Sequence, residues 1–384
     1  MNRILGRLGR MDYLIFTAGL LLSAVGIAAI GSVGLAASGA GLSVVAKQTT
    51  ALLLGIAAAL ILTALNYRAL DHYARIIYLA SLLGLIAVLF FGATVNGTKG
   101  WFVVAGWGFQ PVEFAKLALV LLLARFMSQH KDVSDLKVLA NSFFLAALPA
   151  GLTILQPDFG GAVTILAVWF LLMFVAGVRR RHLLALAVSA LAIGLVGWFL
   201  FLQDYQKERV LTFIDPGRAP LTRGYNITQA KIAIGSGGLF GRGLGYGSQS
   251  QLRFLPEAQT DFIFAVIAEE LGFVAVLAIF LLFLAIFRRA LALASRSPDN
   301  FALFLALGLA LNLFVGFTIN VGMNLGLMPV TGIALPFLSA GGSSLLASWI
   351  IIGLIQSVAA RSEGFNDLTL REEAAGLLVK LDNA

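Results

Sequence analysis

Long apolar stretches separated by short basic or Gly- and Pro-rich connections dominate the chain. They recur at the length a helix needs to cross a membrane, about 20 residues. Ten such stretches are predicted as spans, over residues 13–37, 49–67, 76–95, 113–127, 138–155, 160–178, 183–202, 262–287, 301–319 and 344–360. The predicted fold is therefore all-α: one polytopic integral membrane domain over 1–360, with about ten transmembrane helices. One connection breaks the pattern, because residues 203–260, between spans seven and eight, make a large loop. The tail 361–384 is mixed in charge with one amphipathic pattern (Leu370, Ala374, Leu377, Leu378, Leu381), which predicts a surface helix.

Composition fixes the class. With 59% hydrophobic and 12% charged residues in 384, and a mean hydropathy of +0.93, no soluble core can hide this much apolar surface. There is no cysteine, which removes disulfides and thiol chemistry, and His72, His130 and His182 leave little for a zinc site. The net charge of +8 does not point to nucleic acid, since no nucleic-acid module is present and basic residues in a membrane chain first set orientation. Arg3, Arg7 and Arg10 precede an apolar run too long for the ~7–15 residues of a signal peptide core, so a retained first span with a cytoplasmic N-terminus is expected. Alternate connections then carry Arg68 and Arg75, Arg125, Lys131 and Lys137, Arg179 to Arg181, and Arg288, Arg289 and Arg296. Both termini are expected in the cytoplasm by the positive-inside rule. The outward connections include 96–112, with Lys99, and 203–260, whose seven cations suit an outer face that meets anions.

Polar chemistry concentrates in one stretch, residues 235–272. Glycines there suit close backbone approach to a ligand, and Leu255-Pro256-Glu257 reads as a helix start that places Asp261 on the first turns of a helix. Glu269 and Glu270 follow two turns deeper; ionisable groups cost ~3 kcal/mol or more inside a bilayer, so a polar cavity is expected around them. Elsewhere, Gln110-Pro111-Val112-Glu113 starts span four with Glu113 and Lys116 on one helical face, a spacing that favours a structural ion pair. Gln156-Pro157-Asp158 forms the hairpin between spans five and six, and Asp158 reads equally as an N-cap and as a site residue. The last outward connection, from Asn320 through Asn324, Pro329, Gly332 and Pro336 to Ser343 and Ser344, is rich enough in Gly and Pro to line a cavity with irregular backbone.

The segments QPVEFAK, QPDFGG, DYQKERV, AIGSGGLFGRG, GSQSQLRFLPEAQTDFIFAVIAEELG and GLMPVTGIALPFLSAGGSS together resemble the SEDS (shape, elongation, division and sporulation) family, from the first span to the last. The short N-terminus, DYQKERV and GSQSQL look more like its elongation branch than its division branch. The resemblance implies a ten-span peptidoglycan glycosyltransferase of the bacterial inner membrane that polymerises lipid II on the outer face. It implies work beside a class B penicillin-binding protein and other membrane proteins of the elongation complex. Asp261 matches the essential loop aspartate, Glu113 and Lys116 the intramembrane pair, and Asp158 the acid of the QPD hairpin. Two positions depart from the pattern. Gly100 stands before Trp101 where many relatives have Arg, so a phosphate contact is absent or moved to Lys99, and Gln259 replaces a common His.

Glycosyl transfer from a lipid pyrophosphate needs a base at the acceptor hydroxyl and cations for the departing pyrophosphate. On this reading Asp261 is the base. Lys116, Arg209, Arg223, Lys231 and Arg242 are the unranked candidates for pyrophosphate, with Gln156, Glu257, Gln259, Thr260 and Ser343 supporting or binding substrate. A divalent cation, Mg2+ or Mn2+, could share the work, but no carboxylate spacing specifies a metal site. A flippase for the same lipid precursor and a non-enzymatic scaffold stay open as alternatives, the first because broken backbone and buried charge also suit a transport path.

Overall fold

The structure, a computed structural model, describes residues 9–362 except 36–39, 96, 105 and, within 201–222, all but Lys207, Leu211, Phe213 and Asp215. Helices α1 (Tyr13–Leu35), α2 (Ala40–Ala64) and α3 (Tyr67–Phe91) come first, followed by strands β1 (Ala93–Val95), β2 (Thr98–Val104) and β3 (Trp107–Phe109). Then follow α4 (Pro111–Ser128), α5 (Leu136–Leu155), α6 (Phe159–Val175), α7 (Arg180–Leu200), α8 (Arg223–Ser236) and the single turn α9 (Ser248–Gln251). Helices α10 (Ile263–Ser295), α11 (Asn300–Asn324) and α12 (Gly342–Ala359) complete the order. Among the described residues, seven helices are long and apolar enough to cross a membrane: α1, α2, α3, α5, α10, α11 and α12. The other three predicted spans are helical too: α4, which carries Glu113, Lys116 and Arg125, α6, which is 17 residues long, and α7.

Helix α4 is the central shaft. Its residues are apolar on every face from Leu117 to Ala124 and buried there, as expected of a helix surrounded by others; α3, α5, α6, α11 and α12 all pack on it. Small residues let other backbones meet closely. Helix α12 lies on α2 where Gly55 faces the fully buried Trp349 and Gly353 faces Ala59, leaving no room for a larger side chain at either glycine. The Trp349 indole donates to Ser23 Oγ on α1 at 3.2 Å, so the polar edge of this large side chain is satisfied.

Two features differ from the sequence expectation. Residues 93–109, taken as the end of a span and a loop, form an antiparallel three-stranded meander, with Ala93 opposite Trp101 and Val103 opposite Gly108. The Lys99 amide donates to the Gln156 carbonyl at 3.1 Å, which pins this sheet to the end of α5. The second difference lies in α10. At 33 residues it would run about 50 Å as a straight helix, well beyond a ~30 Å hydrocarbon layer, and it breaks at Gly272, whose φ of 75° and ψ of −173° suit glycine alone.

The glycine-rich segment 237–243 fills that break. Arg242 N donates to Glu269 O (3.0 Å) and Gly243 N to Glu270 O (2.9 Å), while Phe273 N and Val274 N donate to Gly238 O and Leu239 O. Backbone groups freed by the break thus find partners without water. A Cβ on Gly237 would collide with the Ala268 carbonyl, so the glycines serve close approach to a helix backbone. The expectation that they approach a ligand is corrected accordingly.

Candidate active site

One cavity of about 570 Å³ opens where the sheet, the start of α4, the α5–α6 hairpin, the segment before α10 and the α11–α12 connection converge. Four carboxylates reach its wall: Glu113, Asp158, Glu257 and Asp261. Asp261 sits in a run of turns over 255–262, with α10 beginning only at Ile263, so the helix start expected at Pro256 lies later than predicted.

Its placement is fixed through the main chain. Three consecutive carbonyls are held from the α11–α12 side: Gln259 O by Ala340 N (2.8 Å), Thr260 O by Ser339 Oγ (2.6 Å), and Asp261 O by both Asn320 Nδ2 (3.0 Å) and Asn324 Nδ2 (2.9 Å). Asn320 and Asn324 lie one turn apart on α11 and are fully buried. Asn324 Oδ1 also accepts from Ala265 N at 3.2 Å, which supplies from a neighbouring helix the cap that Phe262 cannot give α10. Such bracing holds the Asp261 backbone while its side chain meets the cavity.

The other acids have distinct surroundings. Glu113 Oε1 accepts from Lys116 Nζ at 2.8 Å, and the two side chains are 16% and 8% exposed, so the predicted pair exists with Glu113 on the cavity side. Asp158 caps α6, accepting from Gly161 N at 2.7 Å, and lines the cavity as well; the two readings of it are compatible. Glu257 accepts from Thr260 Oγ1 at 2.9 Å, and both residues line the wall.

Several sequence candidates are not brought to the wall. Gln156 is buried and donates to Leu85 O at 3.1 Å, and Gln259 donates from Nε2 to Ile30 O. Ser343 bridges Gln110 N and Gly108 O, clamping the β3–α4 joint, while its neighbour Ser344 faces the cavity. Arg242 staples the glycine-rich segment, donating to Ser236 O and Ser248 Oγ, and Lys231 is exposed beside Gly326. Arg209 lies outside the described residues. Arg223 opens α8, its side chain also outside what is described, and three residues on Asn226 reaches the cavity and was not anticipated. Lys99 is not on the wall, and Gly100 is buried facing Gln156. Glu269 and Glu270, expected beside a polar cavity, do not line this one; they are buried against the turn 247–251, whose donors meet their carboxylates.

The described wall thus presents acids, amides and hydroxyls, with Lys116 behind Glu113. It suits a hydroxyl-rich ligand and a proton acceptor. Among the described residues no three His, Asp or Glu side chains gather as metal ligands.

Comparison with known proteins gives one picture. The family model for FtsW, RodA and SpoVE, described as a cell cycle protein, matches residues 12–364. The peptidoglycan glycosyltransferase MrdB of Escherichia coli K12 is 37% identical over 322 residues, covering 84% of this chain and 87% of its own. Among solved structures, a chain of a peptidoglycan synthase complex that coordinates polymerization and crosslinking superposes with a TM-score of 0.79 at 35% identity, over 92% of this chain and 98% of that one. The rod shape determining protein RodA of Thermus thermophilus gives 0.69 at 33% identity with the same coverage.

Proposed function

Because the chain belongs to this FtsW, RodA and SpoVE family of cell cycle proteins, we propose that it polymerises lipid II into β-1,4-linked glycan during cell elongation, with Asp261 as general base. It is a multi-pass membrane protein and a peptidoglycan glycosyltransferase like the relatives it matches. The observation that carries the residue assignment is the cavity wall, where Asp261 is the acid whose backbone is held by Asn320 and Asn324.

In the proposed step the Asp261 carboxylate takes the proton of the acceptor sugar's 4-hydroxyl. That oxygen forms a bond to the donor's anomeric carbon and inverts it. The bond from that carbon to the lipid pyrophosphate breaks, and the electron pair leaves with the pyrophosphate oxygen. Glu257 and Asn226 offer hydrogen bonds to sugar hydroxyls. The departing charge falls to cations of the 203–260 loop, and Arg223, one turn before Asn226 on α8, is the first to test.

The site faces outward across the bacterial inner membrane, with both termini in the cytoplasm and a class B penicillin-binding protein as partner. Likeness to a synthase complex supports the partner, and the Lys and Arg alternation supports the orientation. In intact spheroplasts a thiol reagent that cannot cross the membrane should label Tyr246→Cys and spare Arg180→Cys; the opposite pattern would invert the topology.

Asp261→Asn keeps size but lacks basicity, so polymer formation should fall about 10²-fold or more. Thermal unfolding and lipid II binding should hardly move. Both proteins are assayed in one detergent preparation with the class B partner present. Undiminished polymer from the Asn variant ends the general-base assignment. Translocation of the lipid precursor in vesicles without polymer from either protein would favour a flippase.

A further inference from the structure

A second cavity lies toward the opposite end of α4 from the first. It holds about 480 Å³ between α3, α4 and α5, within the ~300–1,000 Å³ of ligand pockets. Where α4 offers Glu113 to the first cavity near its start, it offers Leu122 and Phe126 to this one near its end. The walls are apolar, and Leu79 and Phe144, 58% and 68% exposed, open the groove sideways along the helices. Tyr78 adds no free polar group, because its hydroxyl is bonded to Leu145 O at 2.7 Å.

The rim differs from the walls. Arg75 and Asn141 stand at the groove's polar end, and Lys137, four residues before Asn141 on α5, shares that residue's face. Arg75 and Lys137 are exposed, and neither side chain has an ion pair or hydrogen bond among the described residues. The nearby acids are engaged, Asp71 with Arg125 at 3.5 Å and Asp135 as the cap of α5. The positive-inside pattern assigns this rim to the cytoplasmic headgroup level. An apolar groove with two cations at headgroup height matches one amphiphile: an acyl chain below and a phosphate above without a compensating amine.

We infer that this groove binds an anionic glycerophospholipid of the cytoplasmic leaflet. Its phosphate sits between Arg75 and Lys137, and one acyl chain runs along Leu79, Leu122 and Phe144. The apolar wall takes any acyl chain; the two cations select the charge.

Native mass spectrometry of the full chain tests this by titration with phosphatidylglycerol or phosphatidylcholine of identical chains. The wild type should bind phosphatidylglycerol more tightly. Arg75→Gln with Lys137→Gln should weaken that lipid about 30-fold, the combined effect of two headgroup cations, and leave phosphatidylcholine unchanged. Arg75→Lys should retain binding, and Leu79→Trp, which fills the groove, should weaken both lipids. Thermal unfolding of each variant confirms folding. Equal binding of the two lipids by the wild type, phosphatidylglycerol selectivity that survives the double substitution, or undiminished affinity for both lipids in Leu79→Trp, overturns the assignment.

Discussion

Glu113 on one side, and Glu269 and Glu270 on the other, are two sets of carboxylates held away from water, and they are neutralised in different ways. Glu113 on α4 meets the ammonium of Lys116 on its own helix at 2.8 Å and turns toward the cavity. Glu269 and Glu270 on α10 are 0% and 1% exposed and have no ion pair among the described residues. Glu269 instead accepts from Gln249 N (2.8 Å), Ser250 N (3.1 Å) and Ser248 Oγ (3.3 Å), while Glu270 accepts from Ser32 Oγ (2.5 Å), Gln251 Nε2 (2.8 Å) and Ser250 Oγ (3.1 Å). An acid answered by a cation one turn away leaves the rest of its surroundings open to a ligand. An acid answered by a loop's own donors organises that loop, here the turn leading into the segment that carries Asp261. Burial of charge alone therefore does not mark a site; the identity of the compensating groups does.

The largest effect expected from this contrast is at the ion pair. Removing one partner of a buried pair leaves an uncompensated charge and costs roughly 3–5 kcal/mol, whereas removing both is milder. Lys116→Met should thus unfold well below the wild type, and Glu113→Gln with Lys116→Met should recover part of the loss. A thermal-unfolding cycle reads the coupling. Additive losses would take the pair out of the description and leave Glu113 as an independent cavity acid.

Sequence reading reached the helices because their signal is long. The predicted span 113–127 corresponds to Pro111–Ser128, and 138–155 to Leu136–Leu155, since Pro111 and Asp135 mark starts that local chemistry requires. The sheet was lost for the opposite reason. Asn96-Gly97 between Thr-, Trp- and Val-rich runs is a hairpin signal, but a window long enough to find a span merges β1 into α3. For the site, the convergence of Glu113, Asp158, Glu257 and Asp261 was legible in residue type and in the Pro and Gly grammar around them. Direction was not legible: Ser343 and Ser344 are adjacent on α12, about 100° apart at 3.6 residues per turn, and only the second faces the cavity. The glycines of 237–243 were misread because a backbone cradle looks the same in sequence whether a ligand or a broken helix lies in it.

Within the second set, the two adjacent acids should differ in a way that sharpens the contrast further. Two of the donors to Glu269 are backbone amides, which cannot become acceptors, so Glu269→Ala strands them in a buried setting. At ~1–3 kcal/mol for each unsatisfied buried group, a loss of roughly 3 kcal/mol is expected. Hydrogen exchange should show the turn 247–251 opening, and polymer formation should fall as the 252–262 segment loosens. Glu270 has gentler company. Ser32 and Ser250 are hydroxyls that rotate to accept as readily as they donate, so the amide nitrogen of Glu270→Gln finds a hydroxyl oxygen while its carbonyl keeps Gln251 Nε2. What is lost is the charge assistance of those bonds, and about 1 kcal/mol should cover it. Exchange in 247–251 should stay near wild type. A Glu270→Gln protein as unstable as Glu269→Ala would mean that net charge at this depth, rather than the count of fixed donors, holds the turn against α10.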